Sequence, residues 1–297
     1  MARKICITAV DGQTGFLIAE LILRHRDFSS KVDLLVGLSL HPQSDHTKEL
    51  QGLGATIVRH VPGRERFVVK TLKDTGCDTL CLVPPAHKEK YDISMELANA
   101  AKKANIQDVL LISSVGCDYA DAKKQPRLRE FIDIESLVLE AKGDPGVSTG
   151  HSPCIIRRDR AGFYAENLLL YAPQAQEEGV LPLPIGKNHK FAPVAFGLCA
   201  GKELAAAASE AFGTELEFEN ISEPEAKKVI ETQSGIDPSE QEYLLEYYSL
   251  VREGKTNYIS TNAFHDVTGE HPTEPDSFFK LYSDEMRPRK KAKKNSH

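Results

Sequence analysis

Apolar positions along the first 160 residues switch between two periods. Residues 4–9 (Lys-Ile-Cys-Ile-Thr-Ala) form a short β-branched run, and in 16–24 the apolar positions recur at helical spacing. Residues 32–38 are a run, apolar apart from Asp33, of the kind that strands buried on both faces show. Strand patterns recur at 55–61, 79–84, 109–114 and 154–157, with helical stretches near 48–53, 67–74, 91–104 and 128–142. Strands separated by helices of this length predict parallel strands with right-handed crossovers, an α/β doubly wound sheet.

After residue 160 the rhythm changes. Residues 163–171 read as a short helix stopped before Pro173, and 179–186 (Gly-Val-Leu-Pro-Leu-Pro-Ile-Gly) as an extended, hairpin-like piece. An Ala-rich helix at 202–212 and a strand at 215–218 follow. Ser222 ahead of acidic first-turn residues predicts a helix start, and 240–253 is a further helix whose apolar and aromatic face belongs to a core. The pattern divides the chain into a sheet domain at 1–160, a smaller α+β C-terminal lobe at 161–285 whose segments interleave with the sheet, and a basic disordered tail at 286–297. There are no internal repeats.

Composition narrows the class. With 297 residues, 41% hydrophobic and 27% charged, the chain has material for a large core, and chain-wide disorder and collagen are excluded. No apolar run approaches the roughly 20 residues that span a bilayer, and the N-terminus enters a strand pattern with no secretory signal before it. The net charge is −6, yet residues 287–294 hold six basic side chains. Without them the body carries 31 basic against 43 acidic residues, −12, so it repels nucleic acid and no direct nucleic-acid binding is expected. The basic tail fits either nuclear import or a solvated end. Six scattered cysteines fit reduced, buried thiols of a cytoplasmic protein, and no His/Cys cluster has metal-site spacing.

The chemically suggestive segment is Thr8-Ala-Val-Asp-Gly-Gln-Thr-Gly15, which ends the first predicted strand and opens the first predicted helix. At that place a dinucleotide pyrophosphate rests on unpaired helix N–H groups and the helix dipole. Gly12 lets backbone approach phosphate and Gly15 lets the helix pack on the sheet. The bland alternative is a merely compact turn.

This segment resembles the TGxTGxxG fingerprint of the NmrA-like family, atypical members of the short-chain dehydrogenase/reductase superfamily. Residues 111–116 (Leu-Ile-Ser-Ser-Val-Gly), 160–169, 191–195 and 267–272 with Phe278 add to the resemblance. It implies a Rossmann domain that binds NADP or NAD, with the small lobe forming a cleft. The implied cofactor-binding set is Ala9, Asp11, Gly12, Gln13, Thr14, Gly15, Ser39, Leu40, His41, Pro84, Ser113, Ser114, Gly162, Phe163, Tyr164 and Asn167. Ser113, Ser114, Tyr164 and Asn167 are placed near the nicotinamide; each has an equally good purely structural reading.

The departures are specific. Ala9 stands at the family's first glycine, which costs energy if that residue needs positive φ. Leu40 stands where an Arg holds a 2′-phosphate, and no acidic residue replaces it, so NADP and NAD both stay open. His60 stands where the family has an Asp near the adenine. Residues 196–201 run almost at once into the Ala-rich helix, a connection short by a helix and a loop. Tyr119-x-x-x-Lys123 matches the superfamily's proton-exchanging pair literally, but it lies in a loop ahead of the helix, where Phe131 takes the family's Lys position. Catalytic residues are therefore unassigned. Three readings stay open: an NAD(P)H-dependent oxidoreductase acting on a small carbonyl or quinone-type compound, in specialised metabolism; a non-catalytic NAD(P) redox sensor that regulates a transcription factor by protein contact; and a folded protein that binds nothing.

Overall fold

The structure of the protein, a computed structural model, describes residues 2–142, 160, 161, 163–193, 196, 198–232, 237–258 and 274–289. The chain divides into two compact units, one of Met1–Ser114 with Glu130–Arg160, the other of Val115–Arg129 with Ala161–His297.

The first unit is built on five parallel strands, β1 (Arg3–Ile7), β2 (Val32–Ser39), β3 (Thr56–Arg59), β4 (Thr79–Leu82) and β5 (Asp108–Leu111), in the order β3-β2-β1-β4-β5. Each crossover carries a helix: α1 (Gln13–Arg24), α2 (Asp45–Gly52), α3 (Glu65–Thr75) and α4 (Lys90–Ala104), with α5 (Pro126–Lys142) after β5. The apolar runs have a direct cause. Successive strand side chains point to opposite faces. Cys6, Val36, Leu38, Leu80 and Leu82 enter one core with Val68, Leu72, Leu97 and Ile134 from α3, α4 and α5. Ile7, Leu35, Cys81 and Val83 enter the other with Phe16, Ala19 and Leu50 from α1 and α2. Both faces are covered, which is the doubly wound Rossmann arrangement that the strand–helix rhythm predicts. The strand expected at 154–157 lies outside the described residues.

The ends of these helices follow from local chemistry. Ser44 caps α2 by accepting from the Thr47 amide at 3.3 Å. Asn105, at φ 60, ends α4 in the left-handed conformation that Asn tolerates better than most residues.

The second unit corrects two expectations. Pro173 does not stop a helix. A 3₁₀ turn over Ala165–Tyr171 runs into α6 (Ala172–Glu178), with the proline in its first turn, where no amide is required. Nor is 179–186 part of a hairpin. β6 (Val180–Leu183) pairs in parallel with β7 (Glu217–Asn220), and α7 (Gly201–Phe212) makes the crossover. The Ser222 prediction holds in detail: Ser222 and Glu225 form a reciprocal capping box on α8 (Glu223–Glu231).

The core of this unit is aromatic. Tyr247 and Tyr248 on α9 (Pro238–Arg252) are fully buried, and Phe212 meets Phe279 of α10 (Pro275–Leu281) edge-on at 5.8 Å. The start of the segment expected as a free tail is held down. Met286 is fully buried, Arg287 Nε donates to the Phe212 carbonyl at 2.9 Å, and the Arg289 amide donates to the Gln176 carbonyl at 2.8 Å. Residues 290–297 lie outside the described residues. Among the described residues no helix is long and apolar enough to cross a membrane, and no cluster of His, Cys, Asp and Glu could hold a metal ion.

Candidate functional site: the carboxyl edge of the first sheet

In the order β3-β2-β1-β4-β5 the connections from β1 leave in opposite directions, so the crevice of a doubly wound sheet opens between the carboxyl ends of β1 and β4. Thr8 fastens that point. Its amide donates to the Cys81 carbonyl at 3.0 Å, its hydroxyl donates to the Val83 carbonyl at 2.8 Å, and it accepts from the Val83 amide at 2.8 Å. The chain then turns at Ala9, whose φ is 49, and the Val10 amide donates to the Leu38 carbonyl at 3.2 Å. Positive φ is required at the position where the resemblance places a glycine, and the methyl group of Ala9 costs about 1 kcal/mol there.

The two glycines of the turn differ in kind. A Cβ on Gly15 would stand 2.4 Å from the Ala9 carbonyl oxygen and 2.8 Å from that of Thr8, backbone that cannot step aside. Gly15 is what lets α1 lie against the sheet. A Cβ on Gly12 would meet only the Ala9 oxygen, at 3.4 Å, with Gly12 itself at an ordinary φ of −85. Space therefore remains in front of Gly12. The turn ahead of α1 supplies no side-chain cap and its first turn no acidic residue. The first amides of a helix have no intrahelical partner and carry its positive dipole end. This glycine-lined helix start fits a pyrophosphate.

The neighbouring strand ends complete the edge. Ser39 closes β2 fully buried, followed by Leu40 and the exposed His41; Pro84 follows β4 and the buried Ser113 and Ser114 follow β5. Ser113 donates its hydroxyl to Glu135 Oε1 on α5 at 2.5 Å. One helical turn earlier on the same face stands Phe131, with the ammonium of Lys90 4.1 Å from the ring centroid and 3.1 Å from Glu130. Lys90 is buried at the start of α4. A cation thus lies against the position where the resemblance expects a lysine, but it arrives from another helix. Sequence reading missed Lys90, Glu130 and Glu135. The Phe131-to-Glu135 helical spacing was a usable signal; nothing local marked Lys90.

Phe163, Tyr164 and Asn167 belong to the second unit. Phe163 is a core residue, packed on Phe191, Tyr247 and Tyr248 at ring-centroid distances of 5.5, 5.7 and 5.4 Å. Tyr164 and Asn167 open the 3₁₀ turn, with the Asn167 amide donating to the Tyr164 carbonyl at 3.0 Å. Gly162 lies outside the described residues. Tyr119 and Lys123 sit in a non-helical loop, Tyr119 about half exposed, and form no helical pair. His60 is buried rather than near an open surface, with Nε2 3.3 Å from Glu96. Cys6, Cys77, Cys81, Cys117 and Cys199 are free and buried, and burial pushes the Cys81 thiol up to about 12, so it is no nucleophile at neutral pH.

No known protein-family profile matches the chain, and no curated protein matches it. Solved structures do. An NADPH-dependent quinone oxidoreductase from Escherichia coli, complexed with NADPH, is 19% identical with a TM-score of 0.71, covering 94% of this chain and 99% of its own. Triphenylmethane reductase from Citrobacter sp., complexed with NADP(H), is 13% identical at a TM-score of 0.72, covering 95% and 99%. Leucoanthocyanidin reductase from Vitis vinifera, in a binary complex with NADPH, is 15% identical at 0.65, covering 94% and 99%. At these identities the likeness establishes the fold.

Proposed function

We propose that the protein is an NmrA-like NAD(P)H-dependent oxidoreductase acting on a small carbonyl or quinone-type compound. The carrying observation is the start of α1: a helix end without cap or acid, open in front of Gly12 and pressed to the sheet through Gly15, at the switch point of the strand order. The fold shared with three reductases crystallised with NADPH or NADP(H) supports the same reading. Gly12, Gln13, Thr14 and Gly15 would hold the pyrophosphate, and the loop after β2 the adenosine ribose. The bound cofactor would supply the hydride. Among the described residues no Tyr-Lys pair is set on a helix, which favours acceptors whose charge delocalises over those that need a strong general acid.

Calorimetric titration with NADPH, NADP⁺, NADH and NAD⁺ tests the reading, followed by consumption of the reduced cofactor with a quinone panel. Micromolar binding together with turnover is expected, and absence of binding up to millimolar overturns it. The lack of a helical Tyr-Lys pair among the described residues favours a second reading, a dinucleotide sensor in cytoplasm or nucleus that acts on a regulatory protein. Its mark is affinity that differs between oxidised and reduced cofactor with no turnover of either.

A further inference from the structure

The loop after β2 carries a contact that the glycine turn reading leaves unexplained. Asp11 does not point at the start of its own helix. Its Oδ1 accepts from the Leu40 amide at 3.3 Å and its Oδ2 from the His41 amide at 3.1 Å. The Asp11 carbonyl is 3.0 Å from His46 Nδ1, and the His46 ring stacks on Phe16 at 4.2 Å. Two successive backbone amides at the end of a strand form a small anion site, and in this chain a carboxylate of the preceding loop fills it.

We propose that Asp11 makes this site select NAD(H) over NADP(H). The proposal rests on the reading above, in which the loop after β2 faces the adenosine ribose, the place where dinucleotide-binding sheets discriminate the 2′ substituent. A 2′-phosphate there needs amide or guanidinium donors. The Leu40 and His41 amides are already taken, and residues 32–47 contain neither Lys nor Arg. The charged and titratable groups on this rim are Asp11, His41, Asp45, His46 and Lys48, the last paired with the fully exposed Asp45 at 3.2 Å. A phosphate would meet the Asp11 charge at close range. A neutral 2′-hydroxyl would be welcome, because each carboxylate oxygen accepts one amide and keeps capacity for a further donor. The counterweight is Arg59, exposed at the end of β3 in register with Ser39.

The test uses calorimetry on the full chain with NADH and NADPH, and with ADP and 2′,5′-ADP as probes free of the nicotinamide end. Wild type is expected to bind NADH at least tenfold tighter than NADPH, with the same order for the two adenosine probes. Asp11→Ser is expected to narrow that ratio about tenfold by tightening the phosphorylated ligands. Asp11→Asn removes the charge while keeping the shape, and guards against loss of the loop in the serine variant. If wild type binds NADPH as tightly as NADH or tighter, Arg59 outweighs Asp11 and the proposal is overturned, while the proposed function stands. An unchanged ratio in both folded variants overturns it likewise. If no dinucleotide binds, the functional reading and this inference fall together.

Discussion

Two parts of the first sheet's carboxyl edge, its middle after β1 and its end after β5, are built on different principles. After β1 the shape is made by backbone: a turn forced through positive φ at Ala9 and a helix brought close by the absent side chain of Gly15. After β5 it is made by long side chains, Ser113 with Glu135 and Lys90 with Glu130 and Phe131, drawn from two helices and a strand end. The first kind of site tolerates no added atom at Gly15 but depends on few partners. The second tolerates changes of shape, and its cost appears when one buried charge loses its counterpart.

The sharpest way to break this contrast is Gly15→Ala. With backbone oxygens at 2.4 and 2.8 Å, α1 must shift, and a loss of about 3 kcal/mol in denaturant unfolding is expected. A loss under about 1 kcal/mol would mean that the turn yields as freely as a surface loop. Next in size is Lys90→Met, which removes the buried cation 3.1 Å from the Glu130 carboxylate and should cost about 2 kcal/mol. Adding Glu130→Gln should recover much of it; a double variant no better than the single one would show that packing, not charge, governs this end.

Gly12→Ala separates binding from folding within the turn. Its Cβ meets only one atom at 3.4 Å, so stability should stay within about 0.5 kcal/mol of wild type while dinucleotide affinity falls about tenfold. Equal affinity would remove phosphate from in front of Gly12. Ala9→Gly should stabilise the fold by about 1 kcal/mol or less, since relief of the φ of 49 is offset by a looser unfolded chain. No gain in melting temperature would show that the methyl group is packed to advantage.

The smallest effect lies at the opposite edge of the sheet. Burial raises the Asp78 carboxyl, but hydrogen bonds from Thr79, the Lys4 amide and Arg3 overcome it and leave its pKa below the ordinary 3.8. A depressed folded pKa contributes stability that is complete above the unfolded value and is lost as pH falls through the folded one. With Arg3 half exposed, the contribution is under about 1 kcal/mol. Asp78→Asn should flatten the acid limb of stability below about pH 4 by lowering neutral stability through that same contribution, under about 1 kcal/mol. An acid limb identical to wild type would remove Asp78 from it.

Legibility followed the range of the forces involved. The capping box at Ser222 and Glu225 and the five strands of the sheet were readable because a few neighbouring residues decide them. The glycine turn was readable for the same reason, including the consequence of Ala9. The hairpin expected at 179–186 failed because nothing in eight residues says that the partner of β6 lies beyond an intervening helix, at 217–220. The packing of Phe163 on three other rings was hidden for a related reason: an aromatic in a recognisable motif does not show locally which rings it will meet.

The sequence by itself determined the strand–helix rhythm, hence two-sided burial and a doubly wound sheet, and it marked the turn where that sheet presents a helix start. Those features come from side-chain period and from glycine sterics, which act over one to eight residues. Only the tertiary structure decided that Asp11 spends its carboxylate on the amides of Leu40 and His41, and that Lys90 reaches the face of Phe131. Those contacts join residues about 30 and about 40 positions apart, and their partners are set by how parallel strands line up side by side, which no local pattern encodes.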